Sequence, residues 1–255
     1  MTFQDGVRTE QMICFRMTLL ATALLFSFAG TGSAGVTEQN EVVILLHGLG
    51  RTDRSMAKMA DKLQKAGYAV ENIGYPSTRL SIGQISDQYL VPTVQRASKK
   101  YEKIHIVSHS MGGIVIRQYL ADNGSDKIRR VVMLAPPNHG SEVIDNLRKI
   151  GLMKSVLGPG ADQLSTAADS LPNTLPPLNC EDCQVGIIAG TRSYNPLFSY
   201  WVKGKDDGKV SVQSTTLEGM SDHLVVKANH SFIMRNKNVI EQTIYFLSAG
   251  RFKAD

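Results

Sequence analysis

The stretch IHIVSHSMGGIVIR, residues 104–117, indicates a strand followed directly by a helix. The apolar run in its first half predicts a buried strand, and the apolar residues after the two glycines predict a helix. Ser110 lies at the junction between the two. A side chain at such a sharp turn stands clear of the backbone, provided that small residues flank it two positions away. Ser108 and Gly112 meet that requirement, although the usual G-x-S-x-G pattern has glycine where this chain has Ser108. The stretch therefore predicts a nucleophilic serine on a strand–turn–helix unit.

Strands and helices alternate on both sides of this unit. Short apolar runs ended by glycine, proline or polar residues predict strands within residues 41–50, 68–76, 103–109, 127–137, 184–190 and 222–228. Helical spacing predicts a helix capped by Thr52 or Ser55 and ended at Gly67, a helix over 81–98 broken at Pro92, a helix over 112–124 and a closing helix ended at Gly250. Such alternation is typical of an α/β fold with a mostly parallel sheet, here of six to seven strands, and helices on both faces.

Residues 141–183 interrupt the alternation. They contain Gly158, Pro159 and Gly160 and, further on, several prolines without clear periodicity. A segment inserted after a strand lies at the carboxyl edge of a parallel sheet, where ligands bind in open α/β folds. The segment is either a short cap or a long surface connection. With no internal repeat in the chain, residues 35–255 are interpreted as one domain that carries this insertion.

Residues 1–34 resemble a signal peptide. Arg8 and Arg16 precede an apolar run over 17–30, which is short for a membrane span, and small residues follow it. Cleavage is expected after Ala34, with Met12 or Met17 as alternative starts. The mature protein is then periplasmic or secreted, or membrane-anchored if the segment is not cleaved.

Composition excludes several classes of function. The net charge of +5 comes from scattered basic residues, which does not indicate a nucleic-acid surface. The chain contains no HExxH, no GxGxxG after a strand and no P-loop, so no metal or organic cofactor is implied. In an oxidising compartment Cys180 and Cys183 are expected to form a local disulfide rather than a redox or metal site.

A serine nucleophile needs a base, and His230 is the candidate. It lies in KANHSFIMRN, residues 227–236, between the last predicted strand and the closing helix. The alternatives are weaker: His105 lies within a strand, His109 lies inside the turn pattern, and His223 begins a strand at the end away from the site. His139 lies on a loop at the carboxyl edge and remains a candidate pocket residue.

An acid must orient that histidine, and amides must bind the oxyanion. Asp207 in KDDGKVSVQS, residues 205–214, is the candidate acid, and Asp206 is its rival. The turn LLHGLG, residues 45–50, follows the first strand and can aim the Leu49 N–H at the site, beside the N–H of Met111. His47 is interpreted as a structural residue that bonds across this turn.

Five stretches together resemble small bacterial α/β hydrolases of the lipase/esterase type. They are VILLHGLGR, IVSHSMGGIVIR, VVMLAPPNHGSEV, DDGKVSVQS and ANHSFIM, and the resemblance runs from about residue 41 to 252. It implies the α/β-hydrolase fold without a large lid, the order Ser110, Asp207, His230 for a catalytic triad, and Leu49 and Met111 as the oxyanion hole. It also implies a small-molecule or lipid ester substrate, cleaved through an acyl-enzyme, and no obligate protein partner.

Two other functions stay open at this point. An acyltransferase or amidase would use the same triad with a different acceptor or substrate. A binding protein on the same fold would have lost catalysis, against which the intact Ser, Asp and His positions argue. The aromatic stretch SYNPLFSYW, residues 193–201, is interpreted either as pocket lining for an apolar chain or as core packing under a loop.

Overall fold

Within the residues that the structure describes, six parallel strands form one sheet. They are β1 Glu41–Leu46, β2 Ala69–Ile73, β3 Lys103–His109, β4 Ile128–Leu134, β5 Gln184–Gly190 and β6 Asp222–Val226. Their order across the sheet is β2-β1-β3-β4-β5-β6, and all neighbours pair in parallel. This confirms the predicted parallel sheet, with six strands where six to seven were expected. The predicted strands around 41–50 and 127–137 end early, at Leu46 and Leu134.

Alternate residues of each central strand pack into two separate apolar cores. In β1, Val42, Ile44 and Leu46 face one core while Val43 and Leu45 face the other, and all five are buried. This two-residue period is the geometry of a strand with both faces covered. The sheet thus has helices on both faces, as its apolar runs predict.

The helices lie between the strands and after β6. They are α1 Ala57–Lys65, α2 Ile82–Ile85, α3 Val91–Lys100, α4 Met111–Asn123, α5 Glu142–Lys149, α6 Gly158–Asp162, α7 Leu171–Thr174, α8 Pro196–Trp201, α9 Val212–Thr215 and α10 Lys237–Ala249. Short 3₁₀ turns span Asp53–Met56 and Ile233–Arg235. α1 and α10 pack on one face, and α2 to α4 pack on the other.

Helix boundaries follow local chemistry. Ser81 and Gln84 form a capping box at the start of α2, and α10 ends at Gly250 in the left-handed conformation, with φ 74°. A π-helical turn, Ser86–Leu90, separates α2 from α3 directly before Pro92, which cannot donate a backbone hydrogen bond. The cap expected from Thr52 makes no side-chain hydrogen bond, and the Ser55 hydroxyl instead donates to the Thr52 carbonyl at 2.7 Å.

The structure is a computed structural model and describes residues 40–149, 157–178, 180 and 182–254. The predicted signal peptide, residues 1–34, lies outside these residues. Cys180 and Cys183 are joined in a disulfide. Across the described ranges, no helix is long and apolar enough to cross a bilayer, and no cluster of three His, Cys, Asp or Glu residues could hold a metal ion.

Candidate active site

The order of the strands creates a crevice at one point of the sheet. The chain runs from β1 to β2 on one side and then returns to place β3 on the other side of β1. Loops that leave the carboxyl ends of β1 and β3 therefore diverge, and such a switch point is where ligands bind in open α/β sheets. Residues 47–50 follow β1 here, and Ser110 follows β3.

Ser110 occupies a strained turn between β3 and α4. Its backbone has φ 54° and ψ −124°, a region that residues with a side chain rarely adopt. Two hydrogen bonds maintain this turn: the Ser110 N–H donates to the Leu134 carbonyl at 2.8 Å, and the Gly113 N–H donates to the Ser110 carbonyl at 2.8 Å. Strain of this kind persists only where the surroundings fix the residue, and it is concentrated at functional sites.

The glycines around Ser110 allow its neighbours to approach closely. A Cβ atom on Gly112 would lie 3.0 Å from the His47 carbonyl oxygen, and one on Gly113 would lie 2.8 Å from Cβ of Pro136. A Cβ atom on Gly48 would lie 3.1 Å from Cβ of Ser110. The loop after β1 therefore packs directly against the serine, and α4 packs directly against the segment after β4.

Ser110, His230 and Asp207 form a continuous hydrogen-bonded chain. The Ser110 Oγ lies 2.9 Å from His230 Nε2, and His230 Nδ1 lies 2.8 Å from Asp207 Oδ2. Asp207 is 2% exposed and His230 is 4% exposed, whereas Ser110 is 9% exposed, so the serine is the member nearest solvent. A proton on Nδ1, held by the carboxylate, leaves Nε2 free to accept the serine proton.

The loop after β5 orients Asp207 and not Asp206 toward the histidine. Asp207 Oδ1 accepts the backbone N–H groups of Lys209 and Val210 at 3.0 and 2.9 Å, and the His230 N–H donates to the Asp207 carbonyl at 2.9 Å. Asp206 Oδ1 instead accepts the Ser199 hydroxyl and the Gly208 N–H, both at 2.7 Å. The two neighbouring acids therefore have different partners.

His109 supports the His230 loop. Its Nε2 lies 2.9 Å from the His230 carbonyl oxygen, so this nitrogen carries the proton and donates it. Burial holds the pKa of His109 well below its usual value, and a charge on His230 would lower it further. His109 is therefore a neutral donor that fixes the loop.

Three further histidines contact residues other than Ser110. His105 contacts Glu41, and His223 contacts Thr215. His139 is exposed and contacts Asn173, so it does not line the cavity beside Ser110.

His47 stabilises the turn after β1. Its ring stacks on Tyr75 with centroids 3.9 Å apart, and its Nε2 accepts the Tyr75 N–H at 3.3 Å. The Tyr75 hydroxyl donates to the His47 carbonyl, and burial lowers the pKa of the His47 ring. The Gly50 N–H donates to the Ser77 hydroxyl at 3.0 Å. These contacts fix the turn that carries Leu49.

Leu49 and Met111, the two residues predicted to bind the oxyanion, lie in the segments that adjoin Ser110. Within the part of the chain that the structure describes, neither N–H makes a hydrogen bond to a protein acceptor. Met111 begins α4, where the helix dipole favours negative charge. Leu49 belongs to the loop that packs against Ser110, and its side chain lines the adjoining cavity.

A cavity of about 120 Å³ opens beside Ser110 and His230. Its apolar lining comes largely from the insertion, through Val143, Ile144, Leu147, Leu157 and Leu164. The insertion thus forms a wall of the site, not a remote surface connection. Phe198 of α8 also lines the cavity, whereas Tyr200 of the same helix is 86% exposed. The interpretation of residues 193–201 as core packing is wrong, because α8 has no buried residue.

Arg51 and Lys209 also line this cavity, and no sequence pattern predicted them. Each lies two residues after a predicted site residue, Leu49 and Asp207 respectively. Their closeness in sequence to predicted site residues could have indicated that they lie near the site. The direction of the two side chains depends on the loop conformations, which spacing alone does not specify.

Comparison with known proteins places the fold. Residues 41–155 match a family described as the alpha/beta hydrolase fold; this range includes Ser110 but neither Asp207 nor His230. The mature Bacillus licheniformis lipase BlEst2 superposes with a TM-score of 0.68 at 18% identity, over 83% of this chain and 92% of that chain. The metagenomic carboxyl esterase MGS0156 superposes with a TM-score of 0.58 at 18% identity, over 76% and 65%.

A third solved structure is similar to a smaller part of this chain. Phospholipase PlaB from Legionella pneumophila superposes with a TM-score of 0.56 at 18% identity, over 69% of this chain and 45% of that chain. No curated protein sequence matches the chain. Identities this low establish the fold alone, and together with the family match they confirm the fold and the resemblance that the sequence motifs predict.

Proposed function

Because this chain has the α/β-hydrolase fold, we propose that it is a serine hydrolase that cleaves carboxylic esters. The observation that carries the proposal is the hydrogen-bonded chain from Ser110 through His230 to Asp207, with separations of 2.9 and 2.8 Å. Nucleophile, base and orienting acid lie within hydrogen-bond reach of one another, as such catalysis requires. The family match and the lipase and esterase neighbours support hydrolase chemistry.

The reaction proceeds in two steps. His230 Nε2 takes the proton of Ser110 as its Oγ attacks the ester carbonyl, and the N–H groups of Leu49 and Met111 stabilise the oxyanion. His230 then gives that proton to the leaving alcohol, and an acyl group remains on Ser110. Water attacks the acyl-enzyme with His230 as base, which releases the carboxylic acid and restores the serine.

The cavity gives this chemistry a place for an acyl group. Its apolar wall adjoins Ser110 on the side formed by the insertion, and its size suits part of an aliphatic chain. Asp207 holds the proton on Nδ1 of His230, so Nε2 stays available as the base.

The test is hydrolysis of p-nitrophenyl esters from acetate to palmitate by the wild-type protein and by Ser110→Ala. Ser110→Ala should lower kcat by at least about 10³-fold, because the general base then has no nucleophile to activate. The circular dichroism spectrum and Tm of the variant show that it is folded. Equal activity of the two proteins would contradict the serine mechanism, and inactivity of the folded wild type on every ester would contradict ester hydrolysis.

A further inference from the structure

The cavity beside Ser110 is lined by apolar side chains and by two basic residues. Arg51 and Lys209 both line it together with Ser110 and His230. Among the described lining residues there is no aspartate or glutamate. A cavity that combines apolar walls with two cations and no acid is complementary to an amphiphilic anion.

Both cations are attached to well-fixed backbone. The Arg51 N–H donates to the Gly48 carbonyl at 3.2 Å, and its guanidinium donates to the Ser231 carbonyl at 3.4 Å. The Lys209 N–H donates to Asp207 Oδ1 at 3.0 Å, and its carbonyl accepts the Ser141 hydroxyl at 2.6 Å. Neither side chain forms a salt bridge with any acid in the described ranges.

The two charges act on each other and on the site. Burial lowers the pKa of Lys209, the charge of Arg51 lowers it further, and Asp207 opposes them. Asp207 forms no ion pair with Lys209, since its carboxylate contacts His230 and two backbone N–H groups instead. Since like charges so placed repel, an anion bound between them would relieve that repulsion.

The positions of the cations indicate which part of a substrate they contact. In an ester hydrolase the leaving alcohol faces the general acid, which here is His230. Arg51 is bonded to the carbonyl of Ser231, the next residue after His230, and Lys209 follows Asp207 in the loop that holds His230. The apolar wall comes instead from Val143, Ile144 and Leu147. Because both cations are held next to the residues that carry the general acid, the negative charge is assigned to the alcohol part of the substrate.

We propose that the preferred substrates are acyl esters whose alcohol carries a phosphate, that is, phosphate-bearing acylglycerols. Arg51 and Lys209 bind the phosphate, and the apolar wall holds the acyl chain. This assignment rests on the proposed ester hydrolysis and names the substrate class of the same site. A guanidinium and an ammonium beside each other form charge-assisted hydrogen bonds to phosphate oxygens, which a neutral glycerol cannot offer.

The test compares monolauroylglycerol with its phosphate monoester, so that the acyl chain stays the same and only the charge differs. Both are assayed as monomers below their critical micelle concentrations, with lauric acid release as the readout. The wild type should show a higher kcat/KM for the phosphate ester, and the preference should fall as NaCl is added. Arg51→Met and Lys209→Met should each lower the ratio of the two kcat/KM values by about tenfold. Lys205→Met, an exposed lysine on the same loop, is the matched control and should keep the wild-type ratio.

A second pair of esters tests on which side the charge is recognised. A p-nitrophenyl monoester of a dicarboxylic acid carries its charge on the acyl side, and the p-nitrophenyl ester of a monocarboxylic acid of equal length is its neutral partner. The wild type should not prefer the charged ester of this pair. A preference of similar size would contradict the assignment of the cations to the alcohol side.

The possible failures are separable. If the folded protein hydrolyses neither the lauroyl esters nor any of the p-nitrophenyl esters, the proposed function fails. If it hydrolyses p-nitrophenyl esters but neither lauroyl ester, the phosphate assignment alone fails. If both are hydrolysed without preference for the phosphate ester, or if Arg51→Met and Lys209→Met keep the wild-type ratio, the phosphate assignment alone fails. Should a variant not fold, the salt dependence of the wild-type preference still decides, because a preference that does not weaken with NaCl contradicts ionic recognition.

Discussion

At the scale of single residues, the site depends on which of two adjacent acids contacts His230. Asp206 and Asp207 are neighbours in the sequence DDG, and either satisfies the pattern. The turn at Gly208, with φ 98°, directs Asp207 to His230 and leaves Asp206 with Ser199 and the Gly208 N–H. Spacing predicted both acids as candidates, but the side-chain directions follow from the turn.

This geometry predicts a large difference between two conservative substitutions. Asp207→Asn should lower kcat by about 10⁴-fold, because an amide stabilises the wrong tautomer of His230. Asp206→Asn is the matched control and should change kcat by less than about tenfold, since Asp206 contacts Ser199 and the Gly208 N–H and not His230. Steady-state hydrolysis of one p-nitrophenyl ester measures both. A greater loss in Asp206→Asn would reverse the assignment of the acid.

At the scale of the elements, α4 approaches the sheet edge through glycine. Gly113 occupies its first turn, and the ring of Pro136 leaves no room for a Cβ atom there. Gly83 in α2 is different, since a Cβ atom on it would meet no atom within 4 Å. Both glycines lie in helices. Alanine substitutions at the two positions therefore share the same gain in helix propensity and differ in the packing of the added Cβ atom.

Alanine at these two glycines should have effects of opposite sign. Gly113→Ala should lower the free energy of unfolding by about 1–3 kcal/mol, because the proline ring cannot move out of the way cheaply. Gly83→Ala should raise it by about 0.5–1 kcal/mol, because alanine loses less backbone entropy in a helix. Urea denaturation at neutral pH measures both. Equal stabilisation by the two substitutions would contradict the close contact between α4 and the segment after β4.

Much of the element pattern could be predicted from the sequence, for identifiable reasons. The strand and helix around Ser110 follow from apolar periodicity and from two small residues. The parallel sheet brings the carboxyl ends of β3, β5 and β6 to one edge, which is why residues far apart in sequence could be predicted to lie at that edge. The ends of elements were less predictable. β1 ends at Leu46 because the next residues turn to pack on Ser110, a tertiary contact that the run 41–50 does not encode.

The cavity walls were the part least accessible to prediction. Residues 141–183 lack periodicity, and their contribution to the site arises from packing against the core. Leu164, for example, follows α6 by two residues and is buried while it lines the cavity. Arg51 and Lys209 likewise lie in loops whose conformations set the directions of their side chains.

At the scale of the whole molecule, several buried histidines make the stability of the folded state depend on pH. Burial lowers the pKa values of His47, His105, His109 and His223, and His109 shows the largest lowering, well below its usual value. In the unfolded chain each histidine has a pKa of about 6.5. Below that pH the unfolded state therefore binds more protons than the folded state, and stability falls as the pH falls.

His109→Gln should reduce this acid sensitivity while keeping a donor for the His230 carbonyl. Between about pH 7.5 and about pH 5.5, the wild type should lose about 1.4 kcal/mol more of its free energy of unfolding than the variant, because the variant lacks one proton uptake on unfolding. Urea denaturation at the two pH values measures the difference. Parallel losses in the two proteins would show that His109 is protonated in the folded state, against the direction derived from its burial.

Covalent labelling is a direct test of whether Ser110 is an activated nucleophile. The wild-type protein and Ser110→Ala are incubated with a fluorophosphonate, and intact mass spectrometry and peptide mapping locate the adduct. We expect one label per molecule, on Ser110, and none in the variant. A folded wild-type protein that stays unlabelled, or that is labelled at another residue, would contradict this expectation.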